Sequence, residues 1–175
     1  MSVVENDLEC IMNDNYVNVS ISTLPYDFTG SAVVYNNEIH ILGGSSNERA
    51  HYKWSGSSWT SVSTLPYDFT GTAVVYNNEI HILDDITTYG KHYKWDGSGW
   101  TKVSSFSYDW ESYYPVVYNN EIHVLCNQNT NSEASYNAKH YKWDGSSWTD
   151  VSRLPFNFYG GDVVVYNNEI HKLGG

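Results

Sequence analysis

The chain has 175 residues, a formal net charge of −11, and 17% charged against 16% aromatic side chains. That length allows one domain with a sizeable core. A surface so acidic repels nucleic acid and anionic membranes, whose binding relies on Lys and Arg displacing counterions, so neither is expected as a partner. No segment carries a 3.6-residue apolar period, and short alternating runs between Gly, Asn, Asp and Ser clusters read as strands and turns throughout. The expectation is an all-β protein.

The first residues, Met1–Asp7, have neither the basic nor the apolar region of a signal peptide, and no apolar run approaches membrane-spanning length. An intracellular or virion-associated location is the simplest expectation. Cys10 and Cys126 form no disulfide framework. Next come two short stretches, Cys10–Asp14 and Tyr16–Val19, and then Ser22-Thr-Leu-Pro25. These three acquire a place only through the repeats downstream.

Tyr-Asn-Asn-Glu-Ile-His occurs four times, beginning at Tyr35, Tyr76, Tyr118 and Tyr166. The copies start 41, 42 and 48 residues apart, a period that signals a solenoid, propeller or array. In the first repeat, Ser31–Tyr35 is a continuous apolar run, predicting a strand buried on both faces. Asn36-Asn37 tolerates positive φ and suits a two-residue hairpin turn. Glu38–Leu42 is the second strand, ending at Gly43-Gly44, and His51–Trp54 the third. A tight turn at Ser55–Ser58 leads to the fourth strand, Trp59–Ser63. Trp54 and Trp59 flank that turn, as do Trp95 and Trp100, and Trp143 and Trp148, so each couple is expected to pair across its hairpin. Four antiparallel strands in about 42 residues make one propeller blade.

These residues resemble the kelch repeat family. The resemblance lies in the apolar first strand, Gly43-Gly44 after the second, an aromatic followed by Asp at Trp95-Asp96 and Trp143-Asp144, and a Trp about five residues later at Trp59, Trp100 and Trp148. It covers roughly residues 8–175, and departs where the double Gly becomes Asp84-Asp85 and Cys126-Asn127. The fold implied is a four-bladed kelch-like β-propeller spanning residues 1–175 as one domain, with blades at 30–64, 71–104 and 112–152. The last copy stops after its second strand. The N-terminus starts with the missing half: Cys10–Asp14 matches Tyr52–Gly56, Tyr16–Val19 matches Trp59–Val62, and Ser22–Pro25 resumes the repeat. A split blade of 160–175 plus 8–22 therefore closes the ring without an open seam. A monomer is expected. A ring made from two chains, with the same ends completing a blade in the partner, is the alternative.

Strand order puts the blade-to-blade segments and the second-to-third loops on one face, and the Asn-Asn and Asp-Gly turns on the other. The turns barely differ among copies. The loops differ greatly, and the one after Leu125 is longer by six residues. Variable loops on a rigid scaffold are where binding sits. Near the axis on that face lie Tyr26-Asp27-Phe28, Tyr67-Asp68-Phe69, Tyr108-Asp109-Trp110 and Phe156-Asn157-Phe158. Aromatics with a carboxylate or amide between them suit a sugar ring, stacked on one face and hydrogen-bonded at its hydroxyls. Capping of the blades by the same aromatics is the competing role.

The recurring His40, His81, His123 and His171 tempt a metal reading, but their place on the second strand favours hydrogen-bonded packing between neighbouring blades. His51, His92 and His140 read likewise. The kelch resemblance admits enzymes: galactose oxidases hold copper with Tyr, His and a Cys–Tyr crosslink, and sialic-acid mutarotases use a polar central pocket. No such constellation, nucleophile triad, zinc spacing or phosphate loop is present in the sequence. Three axial Asp residues could perturb one another's titration, the one feature in favour of a carbohydrate-active enzyme. The reading is a non-catalytic binding module for a glycan or a protein, as part of a bacterial or phage assembly, without metal or cofactor. A structural propeller with no small-molecule ligand is the third reading.

Overall fold

The computed structural model describes residues 8–9, 20–21, 23–84, 90–106, 110–128, 138–155 and 160–174, with side chains for 23–84, 90–106, 113–127, 138–155 and 160–174. Among them are sixteen strands, all paired antiparallel, and no helix. The chain divides into two compact units, Met1–Thr70 and Gly71–Gly175.

The first unit opens with a short ladder of β1 (Leu8–Glu9) and β2 (Ser20–Ile21), and then forms a four-stranded sheet of β3 (Ser31–Tyr35), β4 (Glu38–Leu42), β5 (Ala50–Trp54) and β6 (Trp59–Thr64) in sequential order. The second unit repeats that meander twice. One sheet holds β7 (Thr72–Tyr76), β8 (Glu79–Asp84), β9 (Gly90–Trp95) and β10 (Trp100–Phe106). Another holds β11 (Trp110–Tyr118), β12 (Glu121–Gln128), β13 (Ala138–Trp143) and β14 (Trp148–Arg153). A two-stranded ladder of β15 (Asp162–Tyr166) and β16 (Glu169–Leu173) ends the unit. Sequential four-stranded antiparallel sheets are the building units of β-propellers, and the architecture is consistent with that class.

The turns explain the recurrence of Asn-Asn. Both residues have positive φ in every copy, 50° and 62° at Asn36 and Asn37, and nearly the same at the other three pairs. This is the type I′ hairpin, whose twist matches that of the strands, and Asn is among the few side chains that enter the left-handed region at low cost. The paired tryptophans are also as the spacing predicts. Trp54 lies opposite Trp59, Trp95 opposite Trp100 and Trp143 opposite Trp148, with ring centroids 5.6 Å apart in each couple.

Where the core lies differs from the expectation. β3 is not buried on both faces: Ala32 is exposed and Val34 is 67% exposed. The first strand is an edge of its sheet, so the second and third strands take the central place. Ile41, Leu42, Ile82, Leu83, Ile122 and Val124 are buried there. In the second unit, Ile122, Val124, Cys126, Tyr141 and Trp143 pack on Tyr76, Leu83 and Phe106, sheet against sheet. Leu125 and Ala138 pack in turn on Val163 of the two-stranded ladder. Each such fully buried apolar side chain contributes about 1.5–3 kcal/mol.

The N-terminal ladder pairs two residues of each strand. Leu8 opposes Ile21 and Glu9 opposes Ser20, as Ala50 opposes Thr64 and His51 opposes Ser63. Cys10–Asp14 and Tyr16–Val19 lie outside the described residues.

Candidate functional site

In the first unit, the two segments singled out by sequence flank the loop of their blade and are stitched to it. Tyr26 donates from its hydroxyl to the Gly43 carbonyl at 2.8 Å, and its ring lies edge-on to Phe28 and against Tyr52. Burial, with the Tyr52 phenol nearby, pushes the Tyr26 phenol up to about 12. The Asp27 carbonyl accepts from Ser46 Oγ, and Thr29 Oγ1 accepts from the Ser45 amide. On the other side, Phe69 donates its amide to the Glu48 carbonyl and accepts from the Gly44 amide, while the Arg49 guanidinium holds the Leu65 carbonyl through two nitrogens at 2.8 and 3.0 Å.

The double glycine makes this stitching possible. Gly43 has φ of +62°, and a Cβ there would sit 2.2 Å from the Phe69 carbonyl oxygen. No other residue fits.

Of the candidate residues in this unit, Asp27 and Asp68 are exposed, and Tyr26, Phe28 and Tyr67 are half-buried. Phe69 is fully buried. It is a core residue with no surface to offer a ligand, because the segment turns inward there to close over the loop. Tyr26 serves the capping role through its bond to Gly43. Tyr108, Asp109, Phe156, Asn157 and Phe158 lie outside the described residues, and Trp110 is placed as the first residue of β11 without its side chain.

The histidines form an arrangement that the sequence did not reveal. His40 Nδ1 lies 2.8 Å from His51 Nε2, His81 Nδ1 2.8 Å from His92 Nε2, and His123 Nδ1 2.7 Å from His140 Nε2. His51 Nδ1 continues to Ser63 Oγ at 2.8 Å, and His92 Nδ1 to Ser104 Oγ at 3.1 Å. The hydrogen-bond partner of each of these second-strand histidines lies within its own sheet, and packing against the neighbouring sheet is seen at His92. Diagonal neighbours on one face of a ladder are within reach of long side chains. A bulge helps, because the register skips Val62 and so brings Ser63 opposite His51. The same skip occurs at Val103 and Val151.

In the second unit the relay extends to the neighbouring sheet. Trp148 donates its indole N–H to Ser104 Oγ at 3.0 Å, and an indole only donates. Ser104 Oγ lies 3.1 Å from His92 Nδ1, and His92 Nε2 lies 2.8 Å from His81 Nδ1, which leaves Nε2 as the remaining ring nitrogen of His81. That nitrogen lies 3.8 Å from the Glu79 carboxylate, which favours a proton there. The rings of Trp143 and Trp148 cover His92 at 5.1 and 5.6 Å. Burial accordingly holds His92 and His51 down to about 3 and His81 to about 4, and lowers His40, His123 and His140.

These pairs are too close to share a metal ion. Two imidazole nitrogens on one tetrahedral zinc stand roughly 3.3 Å apart, given ligand bonds of about 2.0–2.1 Å. Among the described residues no group of three or more His, Cys, Asp or Glu is placed to hold a metal. No helix is long and apolar enough to cross a membrane among them.

The positions departing from the double glycine carry buried polar groups in the second unit. Asp84 is 1% exposed at the end of β8 and Asn127 is 3% exposed near the end of β12. The replaced glycines were the signal for this, since a side chain at that point of the strand has only the interior to enter.

No family model matches the sequence, and no curated protein does. Seventy-eight chains of solved structures are similar to it. One is the structure of YjhT, with a TM-score of 0.65 over 86% of this chain at 15% identity. At that identity the likeness concerns the fold alone. The match spans 58% of the length of the YjhT chain.

Proposed function

We propose that the chain is a kelch-like binding module: a small propeller whose N-terminal ladder completes its last blade, presenting its loop face to a glycan or a protein. The observation that carries this reading is the contrast between near-identical sheets and the segments that join them. Asp27 and Asp68 each offer an exposed carboxylate beside a half-buried tyrosine, on a loop stitched down by Arg49 and the double glycine. A rigid carboxylate next to an aromatic face is suited to a sugar's hydroxyls and apolar ring face. Four blades closing within one chain account for the length, and the register of β1 with β2 supports the closing hairpin.

A glycan array probed with the intact chain tests the reading. Hits that weaken at least tenfold in Tyr67→Ala, Asp68→Asn and Trp110→Ala are expected. An array without hits moves recognition to a protein surface, and hits indifferent to all three substitutions remove this face as the site.

A further inference from the structure

The third strands of the three full sheets share one sequence, and each meets its neighbour through the same two side-chain contacts. They run His51-Tyr-Lys-Trp54, His92-Tyr-Lys-Trp95 and His140-Tyr-Lys-Trp143. Beside the second strand, the histidine lies opposite Leu42, Leu83 or Leu125, and the lysine opposite His40, His81 or His123. The imidazole reaches diagonally to the second-strand histidine, Nε2 to Nδ1 at 2.8, 2.8 and 2.7 Å. The ammonium reaches the glutamate two places before that histidine, at 3.0, 2.9 and 3.0 Å for Glu38, Glu79 and Glu121. A third strand is thus received by an imidazole and a carboxylate in fixed register.

β16 presents the same second strand. Its register with β15 is that of the other copies: Tyr166 opposes Glu169 and Val164 opposes His171, as Tyr76 opposes Glu79 and Val74 opposes His81. Its other edge has no strand beside it among the described residues. His171 Nε2 lies 3.2 Å from the Tyr166 carbonyl, while Nδ1, the atom that meets the third-strand imidazole in the other copies, has no partner among the described residues. No lysine reaches Glu169 among them either. The Glu169 side chain is 74% exposed, against 27%, 23% and 24% for Glu38, Glu79 and Glu121.

We propose that β16 is a strand-docking edge for a partner protein. It takes an extended segment in which a histidine is followed two places later by a lysine, and adds it as a third strand. The partner's imidazole bonds His171 Nδ1 and its ammonium pairs with Glu169. In such augmentation the main-chain bonds supply affinity and alternate side chains supply specificity. The net charge of −11 draws a lysine-bearing segment in. A second copy has no such strand to lend, because β5, β9 and β13 are each paired on both sides within their sheets. The N-terminal segment matches the pattern less well. Where Cys10–Asp14 is set against Tyr52–Gly56, Ile11 stands at the place of the lysine and Glu9 at that of the histidine. The inference goes beyond the loop-face reading, and where the N-terminal ladder closes the last blade it holds this edge as a resident that a better-matched strand replaces.

A labelled synthetic peptide of residues 91–97, titrated into the full-length chain and followed by fluorescence anisotropy and by amide and imidazole NMR, tests this. Saturable binding is expected, with the largest shifts at the β16 amides and the His171 ring. A peptide carrying Lys94→Glu should bind about tenfold more weakly, because like charges then face each other across the strands. The chain variant Glu169→Lys should recover binding of that altered peptide, and Glu169→Gln, which keeps the shape of the side chain, should weaken the unaltered one. Binding that ignores these charge changes, or shifts that avoid β16, would overturn the inference. So would an absence of binding. Protected β16 amides in that case would show the N-terminal ladder holding the edge and leave the closing reading intact, whereas protection that grows with protein concentration would show a second copy there.

Discussion

His51 and His92 are held neutral because the strands around them admit no water and their Nδ1 and Nε2 atoms are already bonded. Their folded values lie near 3, below the ordinary 6.5, so the unfolded chain takes up protons that the folded one refuses. The resulting stability is complete above pH 6.5 and is lost as pH falls from there through about 3. The slope is about 1.4 kcal/mol per pH unit for each histidine kept neutral. Thermal denaturation across that window should show the midpoint falling steadily below pH 6.5. In His92→Phe the fall should be shallower, because one refused proton is gone. An unchanged slope would mean that His92 does not titrate on unfolding. At neutral pH the same change removes the His92 partner of His81 Nδ1, at a cost of about 1–3 kcal/mol, while Ser104 keeps the Trp148 indole.

At the scale of elements, the hairpins, the tryptophan couples and the order of strands were legible because each is dictated by neighbours close in sequence. Asn36-Asn37 can adopt few turns, and Trp54 and Trp59 flank a tight one. The histidine relay was not legible. It depends on a bulge at Val62, and a one-residue skip alters which side chains oppose each other without leaving a mark in composition. The site was legible only in part, for a similar reason. Tyr67, Asp68 and Phe69 form one motif in sequence, yet the chain turns Phe69 fully inward while Asp68 stays exposed. The double glycine at Gly43-Gly44 was visible as a family feature, while its physical role, the approach of the Phe69 carbonyl, required coordinates. Gly43→Ala should therefore destabilise the first unit by about 1–3 kcal/mol, from the positive φ and the clash together. Denaturant unfolding would show it, and a loss under about 0.5 kcal/mol would mean that the loop re-forms without the stitch.

The whole molecule poses the question of its last ladder. Tyr166 and Leu173 are 64% and 53% exposed, whereas their equivalents Tyr76 and Leu83, covered by the next sheet, are 4% and 0% exposed. A two-stranded ladder with such a face is marginal by itself, and an open strand edge invites pairing. The proposed closing hairpin would supply the missing strands. Hydrogen exchange on the full-length chain, followed at the β16 amides that point away from β15, tests this most directly. The account predicts protection equal to that of β8 and β12 and independent of protein concentration. Exchange at the rate of an open edge, or protection that appears only as concentration rises, would contradict closure within one chain.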